Sequence, residues 1–450
     1  MNLPARLDRL PLSRPHYRLL VIAGLGYIVA NLDVFVGFSL LPEAGPLRHL
    51  TNIQLASFGS ALLLGYLVGA VTAGLVGDRF GRRIVMMGAL GWFALFTTAA
   101  LVPNYSLFLV ARTLSGFGLG AESAIIAPYL SEFAPAHRRG WFMGVLAGFF
   151  ALAVGGAGLL AQLVIAASPD RWRIALLLTT LPMAMLLWWR RTLPESPRYL
   201  LARGRTREAE AVVSALERDV ERAIGRPLPS VPDVALSGMR STNIANALRF
   251  VWSPRIATRT AVVGLIWFAQ AFSFNWIPTL LFRRDTTVTS SVEFAIIAYI
   301  ALMLGYASAV WVNERIDRKR TIALCLTGGM LSALSLSQVT TSLGIMTAGA
   351  ALLFFLNGTY GALYAYTPEV FPTSMRATGM GVSSACGRLG LVIAPRFSRF
   401  LVRRLGFSDA FAGTTTVVGL AAIVVLWFGL STAGLSLEEL SHDVEPVGTA

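Results

Sequence analysis

Apolar stretches of about 20 residues, separated by short polar turns, run along this chain almost from end to end. Roughly twelve of them begin near Tyr17, Ile53, Ile84, Ser106, Trp141, Trp172, Ala257, Ser291, Thr321, Leu343, Thr378 and Ser408. Hydrocarbon offers backbone N–H and C=O groups no water, so each stretch is predicted to be a helix that satisfies its own backbone. The spacing predicts an all-α membrane protein with twelve transmembrane helices in two pseudo-symmetric six-helix bundles. The expected segments are a cytoplasmic N-terminal tail (1–16), a first bundle (17–191), a cytoplasmic linker (192–256), a second bundle (257–432) and a cytoplasmic C-terminal tail (433–450).

Inside the linker the period changes. Glu208, Glu210, Glu217 and Glu221 alternate with Ala209, Val212, Val213, Leu216 and Val220, which predicts an amphipathic surface helix capped by Thr206 and ended by Pro227, Pro229 and Pro232. The acidic tail after Glu438 is expected to be disordered.

Two basic turns, Gly77 to Arg83 and Asn313 to Lys319, occupy corresponding places in the two halves. A second echo lies roughly 236 residues on: Glu132, Pro135, Arg139 and Gly144 return as Glu369, Pro372, Arg376 and Gly381. Duplicated bundles are a common way to build secondary transporters, so transport is the leading expectation.

Composition strengthens the membrane reading. The chain is 55% hydrophobic and 14% charged, with a mean hydropathy of +0.63, outside the range of soluble proteins. The net charge of +14 raises the question of nucleic acid. Its distribution argues against that partner. Arg79, Arg82, Arg83, Arg138, Arg139, Arg315, Arg318, Lys319 and Arg320 fall in alternate connections, with Arg283, Arg284, Arg403 and Arg404 as exceptions. That bias places both termini inside, beside anionic lipid, as in a bacterial inner membrane. Cys325, Cys386 and the four scattered histidines offer no disulfide, metal or catalytic-triad framework, so neither an enzyme nor a cofactor is expected. Arg6, Arg9, Arg14 and Arg18 precede a full-length span with no small-residue cleavage pattern after it, unlike a cleaved signal.

The motifs match a known family. Gly77 to Arg83, Pro194-Glu195-Ser196-Pro197-Arg198-Tyr199-Leu200, and Pro368 to Pro372 with Arg376-Ala377-Thr378-Gly379 resemble, in order, signature stretches of the major facilitator superfamily, in its sugar-porter and metabolite–proton symporter branches. The second-half loop departs from the pattern, with Asp317 where the first half has Gly81.

Charges at membrane depth are costly and usually face a pathway or a partner. Asp33 lies about 13 Å from the outer end of the first span, and Arg112 about 9 Å from the same side in the fourth. Similar depths allow an ion pair, which fits either a proton-coupling site or a static bolt between helices. The resemblance implies the former, since proton-coupled members carry an acid in the first helix near an arginine in the fourth. Arg388 lies about 15 Å deep in the eleventh span. Its fork of donors suits a substrate carboxylate, unless Glu122 neutralises it. In the aromatic-acid and organic-anion branches that Gly387-Arg388-Leu389-Gly390 resembles, a basic residue here goes with anionic substrates. Glu122 follows Gly116, Gly118 and Gly120, which permit close helix approach; it could relay a proton, balance Arg388 or bind a cation.

Gln270, Asn275 and Trp276 in the seventh span, and Asn357, Tyr360 and Tyr364 in the tenth, are the candidate cavity residues, with ordinary packing or an interfacial belt as the alternative. The seventh span lacks the paired glutamines of sugar porters. Acids and arginines at the inner helix ends (Asp78, Arg79, Arg82, Arg83, Glu132, Arg139, Glu314, Arg315, Arg318, Glu369 and Arg376) are candidate gates or mere topology signals. The combined expectation is a monomeric proton-coupled transporter of a small organic anion, aromatic or heterocyclic. A facilitator or exporter of sugars, drugs or cations on the same fold is the alternative.

Overall fold

The computed structural model describes residues 2–47, 52–98, 104–167, 172–180, 188, 191–231, 249, 251–254, 256–284 and 292–441. The first half contains α1 (Leu3–Asp8), α2 (Arg14–Leu47), α3 (Asn52–Phe80), α4 (Arg82–Thr98), α5 (Tyr105–Ser131), α6 (Arg139–Ala167) and α7 (Trp172–Leu178). The linker carries α8 (Pro197–Ala202) and α9 (Thr206–Ile224). The second half contains α10 (Ala257–Arg284), α11 (Val292–Val312), α12 (Arg318–Gln338), α13 (Ser342–Val370), α14 (Arg376–Leu405), α15 (Phe407–Phe428) and α16 (Leu437–Ser441). Each predicted span start falls within about three residues of a helix start; of the sixth span, only the beginning and the last turn are described. By length and composition alone, seven helices among the described residues are long and apolar enough to cross a membrane. Others, such as α5, carry buried charges or are shorter, and their place comes from packing.

Packing repeats between the halves. Helix α3 packs on α5, α4 on α5 and α2 on α6; in the second half α11 packs on α13, α12 on α13 and α10 on α14. The halves meet through α3 against α14 and α6 against α11 and α13. Glycine sets the closest approaches: a Cβ on Gly116 or Gly120 would run into the carbonyl oxygens of Leu62 and Tyr66 on α3. Leu64, Leu95, Leu163, Leu304 and Trp427 are left exposed, as an outer wall facing acyl chains requires.

Both basic turns place a residue at positive φ, by different routes. Gly81 sits at φ +107°, and Glu195 accepts from the Arg82 and Arg83 amides at 3.0 and 3.2 Å, capping α4. Asp317 takes φ +69° despite its side chain. Its carboxylate accepts the Arg318 amide at 2.8 Å and the Thr432 and Ala433 amides at 3.2 Å, which offsets the left-handed strain.

Two local expectations are corrected. Thr206 does not cap α9 but is its first helical residue; the cap is Arg205, which makes no side-chain capping bond and pairs with Glu208 at 2.7 Å. The helix ends at Gly225, in the left-handed conformation at φ +67°, before the prolines. Glu438 is buried against Arg198 at 2.8 Å, and helix α16 runs on to Ser441, so the first residues after Glu438 are helical; residues 442–450 of the tail expected to be disordered lie outside the described residues. Burial alone would raise the Glu438 carboxyl, but Arg198 holds it below the usual range.

Gly74 and Gly381 mark where the halves touch. A Cβ on Gly74 would stand 2.5 Å from the Ala377 carbonyl oxygen, and one on Gly381 would collide with the Ala70 carbonyl. Replacing Gly381 by leucine should cost the closed arrangement about 1–3 kcal/mol. Pulsed-EPR distances between the ends of α5 and α13 nearest Glu132 and Glu369 should lengthen; unchanged distances would show that this crossing does not control closure.

Candidate functional site

The face that carries both chain ends is closed by charge. Asp78, at the end of α3, accepts from the Thr378 amide at 2.8 Å and its hydroxyl at 2.7 Å across the halves. Arg82 holds Asp78 at 2.8 Å and reaches the Thr373 carbonyl oxygen of the other half at 3.1 Å. Glu132 receives Arg376 from the opposite half at 3.0 Å and Arg82 from its own at 3.4 Å. Arg139 approaches Glu369 at 4.0 Å, while Arg318 binds Glu369 within the second half at 3.2 Å. Glu314 takes Arg138 at 2.9 Å and caps the Trp141 amide at 3.1 Å. Of the gate candidates, Arg79 and Arg315 are placed differently: Arg79 is exposed beside Phe80, and Arg315 stacks over Trp311 at 3.6 Å. Arg83 contributes its backbone amide to Glu195.

Chain ends and linker join this network, which sequence patterning did not reveal. Asp8 of α1 contacts Arg139 at 3.3 Å and Arg198 at 3.1 Å, and Arg9 pairs with Glu217 of α9 at 2.6 Å.

Deeper in the first half, Arg112 Nη1 donates to Asp33 Oδ2 at 2.8 Å, with neither side chain exposed. Thr179, just past α7, places its hydroxyl 2.8 Å from Asp33 Oδ1 and 2.6 Å from the Leu176 carbonyl oxygen, two acceptors for its one proton. One carboxylate oxygen thus faces a cation and the other a hydroxyl that it shares with a backbone carbonyl.

Between the halves stands a cluster of tyrosines. The Arg388 guanidinium lies 3.9 Å from the ring centre of Tyr66, which belongs to the opposite half. Tyr66 donates its hydroxyl to Ser123, and Tyr27 donates to the Tyr364 hydroxyl at 2.6 Å. The Ser123 and Tyr364 oxygens are 3.4 Å apart, joining the two pairs. Trp267 flanks Tyr360 and Tyr364 at 5.5 and 5.6 Å and gives its indole N–H to Thr367 at 3.0 Å. Phe150 and Tyr306 close on Tyr360.

Arg388 is partly exposed, and its Nε has no hydrogen-bond partner among the described residues. No carboxylate among the described residues pairs with it. The Glu122 alternative is not formed: that carboxyl is 1% exposed, and neither oxygen finds a partner among the described residues. Asn357 turns its amide to the Leu353 carbonyl of its own helix at 2.7 Å, and Gln270 reaches the Leu356 carbonyl at 3.4 Å. Asn275 and Trp276 lie on α10, but their side chains fall outside the described residues. Sequence reading missed Tyr27, Tyr66, Ser123 and Thr179. Tyr66, set between Gly65 and Gly69 in an apolar span, carried the one available signal: a polar-tipped ring beside glycines.

The sugar (and other) transporter family model matches residues 20–444. The chain belongs to this family of major facilitators. The niacin transporter NiaP of Acinetobacter baylyi is 34% identical, over 98% of this chain and 100% of that protein. The inner membrane metabolite transport protein YdjE of Escherichia coli is 29% identical, over 97% of this chain and 98% of that protein. Among solved structures, the proton:xylose symporter XylE superposes with a TM-score of 0.77 at 20% identity, covering 96% of this chain and 99% of that one. FucP in its outward conformation superposes at 0.66 with 14% identity, covering 93% and 100%. The transporter is thus an integral membrane protein that moves an organic solute, and not an enzyme.

Removing one member of the Asp33–Arg112 pair leaves a buried charge alone. Arg112→Leu should destabilise the transporter by about 3–5 kcal/mol, and adding Asp33→Asn should recover most of that. Thermal-unfolding midpoints of the single and double variants measure it; equal losses in both would mean the pair is not the cause.

Proposed function

We propose that this transporter couples proton movement to the passage of a small heteroaromatic carboxylate of the nicotinate type. The observation that carries the reading is Arg388: a guanidinium between the halves, stacked on Tyr66, with an unspent Nε donor and no carboxylate partner among the described residues. A planar carboxylate matches its fork of donors. The surrounding rings of Tyr66, Tyr360 and Trp267 suit a flat aromatic body. The relative named as a niacin transporter supports a pyridine carboxylate as cargo, and the proton:xylose symporter supports proton coupling.

Asp33 is assigned the coupling proton. Protonation removes its charge from Arg112, while Thr179 keeps the side chain in place, so the first half is free to repack as access alternates. Glu122, buried with no counter-cation among the described residues, is assigned as a second proton carrier. Gln270, Asn357, Tyr360, Tyr364, Asn275 and Trp276 are assigned to the cargo's surroundings. The Asp78, Arg82, Glu132, Arg139, Glu314, Arg318, Glu369 and Arg376 network is assigned as the cytoplasmic gate, with both termini inside and a single chain as the working unit. Linker and bundles divide at about residues 191, 257 and 432. The unpartnered Glu122 favours a second reading, a neutral or cationic cargo on the same fold.

Proteoliposomes loaded against a pH gradient decide between them. Nicotinate uptake should follow the imposed gradient, and Arg388→Ala should lower it about 100-fold, as loss of a charge-assisted bidentate contact implies. Asp33→Asn should abolish accumulation while exchange persists. If Arg388→Ala keeps full uptake of every accepted solute, the anion reading fails; uptake of amines or sugars instead would establish the second reading.

A further inference from the structure

A groove of about 910 Å³ opens where the start of α2, the end of the sixth span and the linker helix α9 come together. Its walls carry four arginines, Arg14, Arg18, Arg191 and Arg222, against a single acid, Asp219. Asp219 is engaged by Arg222 at 3.5 Å. Among the described residues, Arg14, Arg18 and Arg191 have no acidic partner. The floor is apolar, formed by the buried Leu19, Ile22, Phe133 and Leu216.

The cations continue into an apolar track. Arg14, Arg18, Val21 and Leu25 recur at helical spacing along one side of α2. Val21 and Leu25 are 47% and 37% exposed. Trp188, 42% exposed, precedes Arg191 by one turn at the end of the sixth span. Arginines of the groove are therefore followed, within one or two helical turns, by exposed apolar side chains on α2, and Arg191 stands one turn from the exposed Trp188.

We propose that this groove seats an anionic glycerophospholipid of the leaflet on the termini face. Its phosphate rests on Arg18 and Arg191, and its acyl chains follow Val21, Leu25 and Trp188. A soluble anion would use the cations but leave the apolar floor and track wet, and a zwitterionic lipid would leave the excess positive charge unmatched. The seated lipid joins the two spans to α9, which Glu217 already fastens to Arg6 and Arg9 of α1. Nothing in this site depends on the cargo, so failure of the nicotinate reading would leave it intact.

Native mass spectrometry of the purified full-length transporter provides the test, with dioleoyl phosphatidylglycerol, dioleoyl phosphatidylcholine or inorganic phosphate added. Phosphatidylglycerol should be retained and should raise the unfolding midpoint, while the other two do neither. Arg18→Gln with Arg191→Gln should weaken phosphatidylglycerol retention about tenfold, and lysine at both positions should restore most of it, because the contribution is that of positive charge near a phosphate. Arg205→Gln, outside the groove, should change nothing. Should the double glutamine variant fail to fold, Arg18→Gln alone reads the same effect at a smaller size. Equal retention of both lipids, unaltered binding by the glutamine variants, or full stabilisation by phosphate alone would each overturn the proposal.

Discussion

Glu132 sits at the end of α5 and receives Arg376 from the opposite half, while Asp78 accepts the amide and hydroxyl of Thr378 across the same seam. The tyrosine cluster between the halves depends on that seam. The tyrosine cluster takes Tyr27, Tyr66 and Ser123 from one half and Tyr360, Tyr364 and Arg388 from the other, so it exists as a unit only while the halves are held together. Buried ion pairs suit this task because their net worth is small once desolvation is counted. A seam of this kind specifies the closed arrangement without making its opening prohibitive.

The interior charges divide by how they are compensated. Asp33 has a cation on one oxygen and, on the other, the Thr179 hydroxyl, which it shares with the Leu176 carbonyl oxygen. Arg388 has an aromatic face and a free Nε. Glu122 is buried and lacks a partner among the described residues. Charges at membrane depth are costly, and these three differ in how far the surrounding side chains compensate them. Burial also divides the arginines of this face: Arg82 and Arg376 are fully buried in the seam, whereas Arg79 and Arg315 remain at the surface.

Linker and chain ends are part of the same face. Arg198 of α8 binds Asp8 of α1 and Glu438 of α16, and Arg139 also reaches Asp8. The linker motif and the first basic turn are one device as well, because Glu195 caps the amides of Arg82 and Arg83 while the Tyr199 hydroxyl binds the Arg79 carbonyl oxygen at 2.9 Å. Any opening of this face must break or carry along these contacts.

Hydropathy period alone located the spans, because lipid demands about 20 apolar residues wherever a helix crosses it. The internal echo disclosed the two-bundle plan, and the depth of Asp33, Arg112, Arg388 and Glu122 could be counted along their helices at about 1.5 Å per residue. Partners were another matter. Matched depth allowed Asp33 to meet Arg112, yet that Thr179 stands beside them, that Glu122 has no partner among the described residues, and that Tyr66 underlies Arg388 depend on how helices are rotated against one another. Rotation is set by many small packing contacts, such as Gly120 against Tyr66 and Gly74 against Ala377, whose partners lie tens to hundreds of residues away. The docking of Glu438 was illegible for the same reason: an acidic tail looks solvated until a buried Arg198 is brought beside it.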